Sequence, residues 1–300
     1  MIRARQLVKR FGKAEALQGL DLHVPEGAAY ALIGANGAGK TITIRILMDL
    51  IEADAGESSV LGKESRLLGP QELRQIGFVG ESMRMPKGLT VREYFDYLNP
   101  FYEGAWDRQL EAALARRMRL PEGRRIGDLS HGMRMKFALV CGMAFRPRLM
   151  ILDEPLSGVD PLTRDEFTAS LAEQAGETTI LISSHEIQEI EGLVTHAGLV
   201  QNGRMLFEQP MSEIADRFRR ISVTLDSAAT RPGAIPAQWV DLSTMGNVLT
   251  FVDTQFSGGD LGDHVRSVLP GVRNIDAEPM PLRSIFTSIE RHSALAGGES

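Results

Sequence analysis

The sequence has little of what marks secreted, membrane-spanning or nucleic-acid-binding proteins. Cys141 is the only cysteine among 300 residues, so no internal disulfide can form. The longest apolar runs, such as AAYALIGA and LMIL, are far shorter than the roughly 20 residues that cross a bilayer. No apolar signal segment follows Met1, and the formal net charge of −6 disfavours a nucleic-acid partner. We therefore expect a cytoplasmic protein that acts at a membrane only through a partner.

The hydrophobic pattern predicts an α/β domain followed by a smaller one. Over residues 1 to about 210, short apolar strands alternate with amphipathic helical stretches, a pattern typical of a mostly parallel sheet. VKRFGKAEALQGLDLHV predicts two antiparallel strands, and AAYALIG predicts a buried one. Beyond about residue 220, loops separate short strand-like and helical segments, which predicts a small α+β region. We expect domains at residues 1–214 and 215–300.

Local signals predict several turns and caps. After AAYALIG, the pattern indicates a helix with Ile42, Ile46, Leu47 and Leu50 on one face. LTVREYFDYL begins with a capping-box pattern, and VQNGRMLF contains an Asn-Gly pair that favours a hairpin turn.

The strongest chemical signal is GANGAGKT, residues 34–41, which fits the phosphate-binding pattern G-x-x-x-x-G-K-[ST] between a strand and a helix. Its glycines allow a tight loop whose N–H groups point at phosphate oxygens, at the positive end of a helix. Lys40 would reach the β- and γ-phosphates, and Thr41 would bind Mg²⁺. The alternative is a glycine-rich turn with a surface lysine, but Lys40 is one of only six lysines beside 27 arginines. The pattern indicates nucleotide binding.

A second signal is LMILDEP, residues 149–155, in which two acids follow a predicted central strand. Asp153 is placed to hold a hydrated Mg²⁺ ion, and Glu154 could polarise a water aimed at the γ-phosphorus. The alternative is a pair of solvated carboxylates, which the nearby phosphate loop makes less attractive.

Together these motifs resemble the ATP-binding subunit of an ABC transporter. LSHGM corresponds to the family's signature, SGVDP at 157–161 to its D-loop, SSHE at 183–186 to its switch histidine and GFVGES to its Q-loop. These motifs occur in family order over about residues 2–210. The resemblance implies a P-loop NTPase domain with a mostly parallel central sheet, an antiparallel N-terminal β-subdomain and a helical subdomain. The C-terminal α+β region is matched only loosely, to extensions of exporter-type ATPases.

The resemblance also implies site residues, with ATP and Mg²⁺ as the ligands. Glu154 would be the general base and His185 would contact the γ-phosphate, although a lone histidine at a strand end is more often structural. Phe11 would stack on adenine or, equally well, lie in the core. The remaining implied contacts to nucleotide are Gly34, Asn36, Gly37, Ala38, Gly39, Lys40, Thr41, Ile42, Glu81, Ser130, Gly132 and Asp160. The implied metal ligands are Thr41, Glu81 and Asp153.

More than one role is open for residues of the signature segment DLSHGM. Ser130 and Gly132 would complete the ATP site of an opposing subunit, and Ser130 could also cap the following helix. A serine-nucleophile role is disfavoured because Ser130 and His131 are sequence neighbours outside any G-x-S-x-G elbow. His131 and Met133 stand where the family usually has glycine and glutamine, and Glu81 replaces the Q-loop glutamine. His131 would then be either a supplement to the anion site or a neutral packing residue.

The resemblance implies the ATP-hydrolysing subunit of an ABC transporter, of exporter type. Two ATPase subunits, identical or related, would pair head to tail and drive permease subunits on separate chains, at the inner face of the cell membrane. One alternative is a soluble ABC-type ATPase of translation or DNA maintenance, which is disfavoured by the absence of sustained heptads between Lys40 and Ser130. Another is a degenerate cassette that binds ATP in a regulatory or structural role.

Overall fold

The computed structural model describes residues 1–80, 83–102, 104–229, 235–259 and 261–297. The chain divides into two compact units, Met1–Glu208 and Gln209–Ser300. None of the helices in these ranges combines the length and the apolar character that crossing a membrane requires.

The first unit contains ten strands and six α-helices within the described ranges. The strands are β1 (Ile2–Phe11), β2 (Ala14–Val24), β3 (Ala29–Ile33), β4 (Ala55–Val60), β5 (Lys63–Glu64), β6 (Ile76–Gly80), β7 (Leu149–Asp153), β8 (Thr179–Ser184), β9 (His196–Gln201) and β10 (Arg204–Pro210). The helices are α1 (Lys40–Leu47), α2 (Pro70–Leu73), α3 (Val91–Leu98), α4 (Arg108–Arg117), α5 (His131–Met143) and α6 (Pro161–Ala172).

Two sheets build this unit, as the sequence predicts. An antiparallel sheet has the order β2-β1-β4-β5, and a larger sheet has the order β10-β9-β3-β8-β7-β6. The strands from β6 to β9 in the larger sheet pair in parallel, and β3, β7 and β8 are buried along their whole length. The loops that follow β3, β7 and β8 therefore meet at one edge of the sheet, the usual ligand-binding edge of open α/β sheets.

Local predictions are mostly confirmed, with one correction. Thr90 and Glu93 form a capping box at the start of α3. Asn202 and Gly203, which join β9 to β10, both have positive φ, as a tight hairpin turn requires. The prediction that Leu50 shares the buried face of α1 is wrong. The helix ends at Leu47, because the chain turns into a left-handed conformation at Asp49 (φ +55°), and Leu50 is 60% exposed.

Helices α3, α4 and α5 form a helical region with an aromatic core. Phe95 packs against Trp106 and Phe137, with ring centroids 6.3 and 5.3 Å away. Glu111 is fully buried there, and its carboxylate accepts hydrogen bonds from Trp106 Nε1 (2.7 Å) and from two arginines. A buried carboxylate is tolerated because donors surround it.

The second unit is the α+β region that the sequence predicts. Its antiparallel sheet has the order β12-β13-β11-β14 and buries a cluster that includes Trp239 and Phe251. The elements are α7 (Met211–Arg217), β11 (Arg219–Leu225), β12 (Trp239–Met245), β13 (Val248–Asp253), α8 (Leu261–Val268), β14 (Val272–Pro279) and α9 (Leu282–Gly297).

Candidate functional site

The glycine-rich loop lies between buried strand β3 and helix α1. Gly37 and Gly39 have φ of +83° and +114°, a region that side chains rarely adopt. A Cβ at Gly34 would lie 2.3 Å from the carbonyl oxygen of Val200, so this position has no room for a side chain. No side chain caps α1, and its first turn contains no acid, so the N–H groups there remain suited to an anion.

Lys40 is folded into this loop rather than exposed. Its side chain is 4% exposed, and Nζ donates to the carbonyl oxygens of Gly34 (2.5 Å) and Ala35 (3.2 Å). Nζ also lies 2.9 Å from Glu154 Oε1. The surface-lysine alternative is therefore wrong.

Glu154 sits at the centre of the site in a strained conformation. Its φ of +50° is unfavourable for a residue with a side chain. Oε2 is 2.9 Å from Nδ1 of His185, and the side chain is 10% exposed. Oε1 is in ionic contact with Lys40, but no donor reaches it with hydrogen-bond geometry. Glu154 is therefore not a solvated carboxylate. His185 contacts that carboxylate in the site and is not a core residue.

Asp153 joins the loop to the neighbouring strand. Its Oδ1 accepts hydrogen bonds from Thr41 Oγ1 (3.0 Å) and from Ser183 Oγ (2.8 Å). The Ser183 hydroxyl in turn accepts the backbone N–H of Glu154 at 2.9 Å. Sequence reasoning gave Ser183 no role, although a hydroxyl at the end of a fully buried strand beside LMILDEP is a signal that could have found it.

These residues fit a magnesium-bound triphosphate. A Cβ at Gly34 or Gly39 would collide with neighbouring protein atoms, so the tight loop requires glycine there, and Oε1 of Glu154 is buried without a hydrogen-bond donor. The Thr41 hydroxyl and the Asp153 carboxylate are adjacent oxygen donors, as Mg²⁺ prefers when phosphates and water complete its shell. The described residues contain no group of three His, Cys, Asp or Glu side chains that could hold a metal by themselves.

The other residues predicted to contact the nucleotide differ in how exposed they are. Phe11 is 51% exposed, so its core alternative is wrong, and its ring centroid lies 5.6 Å from Lys9 Nζ. Asn36 is exposed, Ala38 is buried, and Ile42 is half-buried against the core. Glu81, predicted to contact both nucleotide and metal, lies outside the described residues.

The signature segment begins helix α5. Ser130 is exposed and caps the helix by accepting the N–H of Met133 at 3.2 Å. Nε2 of His131 lies 3.0 Å from the carbonyl oxygen of Ser157, so this nitrogen is engaged there. The two side chains therefore do not form a nucleophile and its base, and the serine-nucleophile alternative is wrong.

The signature also touches the start of α6. A Cβ at Gly132 would lie 3.3 Å from Thr163 Cγ2 and 3.6 Å from Asp160 Oδ2. Asp160 caps α6 by accepting the N–H of Thr163 at 3.0 Å, and this hydrogen bond lowers the pKa of the Asp160 carboxyl. The D-loop and the signature thus lie side by side within one chain.

Comparison with known proteins agrees with this architecture. Residues 17–157 match the family model described as ABC transporter. The bacitracin transport ATP-binding protein of Bacillus licheniformis is 32% identical over 226 residues, which are 73% of this chain and 73% of that protein. A daunorubicin resistance ATP-binding protein of Streptomyces coeruleorubidus is 35% identical over 211 residues, or 68% of this chain and 65% of that one.

Solved structures give the same result. One described as an ATP binding subunit of an ABC transporter is 26% identical, with a TM-score of 0.65, and the match covers 71% of this chain and 91% of that one. The fold and the phosphate loop define an ATP-binding P-loop protein. The chain belongs to the ATP-binding subunits of ABC transporters, which are ATPases.

Proposed function

We propose that this chain hydrolyses ATP at the junction of two cassettes and so drives a permease on a separate chain in the direction of export. The observation that carries the proposal is the cluster at the sheet edge, in which Lys40, Glu154 and His185 lie in contact beside the Thr41–Asp153 pair.

The proposed direction of transport rests on the two relatives named above. The two relatives named above are described by bacitracin transport and by daunorubicin resistance, and resistance to a drug is served by moving that drug out of the cell. We propose that a separate membrane subunit forms the path for the transported molecule. We place the chain at the inner face of the cell membrane, bound to that subunit.

ATP binding begins with a change of partner at Lys40. Its ammonium group contacts two loop carbonyls and Glu154. A triphosphate carries several negative charges and attracts the ammonium group more strongly than these partners do. When the phosphates enter the loop, Lys40 turns to them and leaves Glu154 Oε1 free. The backbone N–H groups of the loop and of the first turn of α1 then bind the phosphate oxygens. The exposed Phe11 ring is available to stack on adenine.

Hydrolysis uses the carboxylate that Lys40 releases. Glu154 accepts a proton from a water molecule as the water oxygen bonds to the γ-phosphorus in line with the bridging oxygen. The bond between the γ-phosphorus and that oxygen breaks, and ADP leaves with the electron pair. His185 orients the carboxylate through Oε2. Mg²⁺, held by Thr41 and Asp153, would neutralise charge on the phosphate oxygens.

The site within one chain is incomplete, which supports a pair of cassettes. Ser130 is exposed and Gly132 half-buried at the N-terminus of the 13-residue helix α5, which favours anions. In the proposed head-to-tail dimer, this helix terminus closes on the γ-phosphate held by the opposite subunit. Asp160, exposed beside Gly132, would lie at the same junction.

The helical region offers an apolar surface for the permease. A groove of about 150 Å³ is lined in part by Phe78, Met83 and Tyr102. Tyr94 also lines it, and Tyr97 stacks on Tyr94 while remaining 54% exposed. An apolar groove with exposed aromatic neighbours is the usual character of a protein-binding surface. We propose that a short helix of the permease binds there.

The direct test compares the purified chain with its Glu154→Gln variant. We expect ATP hydrolysis to fall by about 10²–10⁴-fold, since a positioned general base contributes on that order. ATP binding should survive, and ATP should trap the variant as a dimer in size-exclusion chromatography. An unchanged rate would show that Glu154 is not the base. A chain that binds ATP but hydrolyses none, with or without its membrane partner, would instead be a regulatory cassette.

A further inference from the structure

His131 makes a contact that a glycine at its position could not make. Its Nε2 lies 3.0 Å from the carbonyl oxygen of Ser157. Because a carbonyl oxygen can only accept, the contact is a hydrogen bond donated by Nε2. The imidazole is half-buried, so water competes with this bond less than it would at an exposed position.

Ser157 leads directly back to the proposed base. The backbone N–H of Ser157 donates to the carbonyl oxygen of Glu154 at 3.3 Å, which closes the turn that follows β7. The two hydrogen bonds therefore connect His131 to the backbone of Glu154 through one residue. Glu154 has a φ of +50°, and such a conformation persists only where neighbouring contacts hold it.

Helix α5 is also fixed to α6, which follows the same turn. Lys136 of α5 forms an ion pair with Glu166 of α6, and both side chains are largely buried. The start of α5 therefore cannot move freely without displacing the segment between Glu154 and α6. His131, the residue after Ser130, is thus joined to Ser157 by one hydrogen bond.

We propose that His131 is a positioning residue that couples the two ATP sites of the dimer. This inference rests on the proposed function, in which Ser130 and Gly132 bind the ATP of the opposite subunit. His131 connects that signature segment to Glu154 of its own chain. Binding of one ATP by the signature thereby fixes the base that acts on the other ATP.

The first test uses homodimers. His131→Ala removes the donor, and His131→Gln keeps an N–H donor at a similar reach. We expect His131→Ala to lower kcat about 3- to 10-fold, the size of one net hydrogen bond, while the Kd for ATP changes less than twofold. His131→Gln should restore most of the rate. An equal loss in both variants, or a loss that appears only in Kd, would overturn the proposal.

The decisive test uses mixed dimers, purified through two different tags. In the first pair, His131→Ala stands in the chain with an intact Glu154, and the other chain carries Glu154→Gln. In the second pair, one chain carries both substitutions and the other is unchanged. The active site of the second pair thus receives the altered signature but keeps its own His131. We expect a 3- to 10-fold lower rate in the first pair only.

The reference is an unchanged chain paired with a Glu154→Gln chain. A loss in the second pair alone would mean that His131 acts on the opposing ATP, and equal losses in both pairs would mean a general structural effect. Either result overturns the coupling while leaving the dimer intact. If ATP does not trap the Glu154→Gln homodimer, the proposed function itself fails, and the coupling fails with it.

Discussion

The buried contact between Lys40 and Glu154 allows a quantitative prediction about the nucleotide-free protein. The side chains are only 4% and 10% exposed, and Nζ and Oε1 are 2.9 Å apart. Removing one partner of a buried ion pair costs about 3–5 kcal/mol, because the other charge is left without compensation. In Lys40→Ala, His185 still contacts Oε2 of Glu154, so we expect the lower end, about 3 kcal/mol.

A double variant measures how strongly Lys40 and Glu154 stabilise each other. Glu154→Gln removes the charge but keeps the shape, and Lys40 still donates to two loop carbonyls, so this variant should cost only about 1–2 kcal/mol. In Lys40→Ala with Glu154→Gln no carboxylate is left unpaired. We therefore expect the double variant to be about as stable as Glu154→Gln alone, and so more stable than Lys40→Ala, which corresponds to a coupling of about 3 kcal/mol.

Urea unfolding without nucleotide measures these differences. Trp106 lies in the first unit and Trp239 in the second, so a Trp239→Phe background lets fluorescence report the first unit. All variants carry that background, and the unchanged pair is the control. Additive losses in the double variant would refute the reasoning, since they would mean that the two charges do not interact in the folded protein.

Three further predictions concern other parts of the molecule. Gly34→Ala places a Cβ 2.3 Å from the carbonyl oxygen of Val200, so ATP titration should show no binding and the melting temperature should fall. Glu111→Gln weakens the buried donor cluster and should destabilise the first unit by about 1–3 kcal/mol in urea, with Trp106 as the reporter. Burial raises the pKa of Asp253, so the stability contributed by its protonated form is present below its ordinary pKa and is lost as pH rises through the folded value. Asp253→Asn should therefore stabilise the second unit at pH 7 but not at pH 3, and an equal effect at both would contradict this sign.

The parts of the site that the sequence predicts are those that a short segment encodes by itself. GANGAGKT specifies a loop and a helix start, and LMILDEP specifies a buried strand with acids at its end. Helix α1 shows the limit of such patterns. The apolar spacing continues to Leu50, but the backbone turns at Asp49 and ends the helix first. Spacing alone does not reveal where tertiary contacts stop a helix.

The contacts between segments could not be predicted in the same way. Ser183 reaches Asp153 only because β7 and β8 are neighbours in parallel register, with those two residues paired. Similarly, His131 meets Ser157, 26 residues away, because α5 and the turn after β7 pack together. Such pairings depend on strand order and helix packing. Sequences with the same local motifs can differ in both, so the motifs alone do not predict these contacts.

The two roles considered for Ser130 are compatible, and the reason is its hydrogen-bonding capacity. A hydroxyl has one donor and two acceptor sites, and capping uses only an acceptor, for the N–H of Met133. The O–H donor remains, and the side chain is exposed, so it can still reach a phosphate oxygen. Capping also holds the oxygen at the end of α5, where the helix dipole favours an anion. The cap thus fixes the geometry that binding needs, and a residue that is structural within its own chain is ready to complete the site of another.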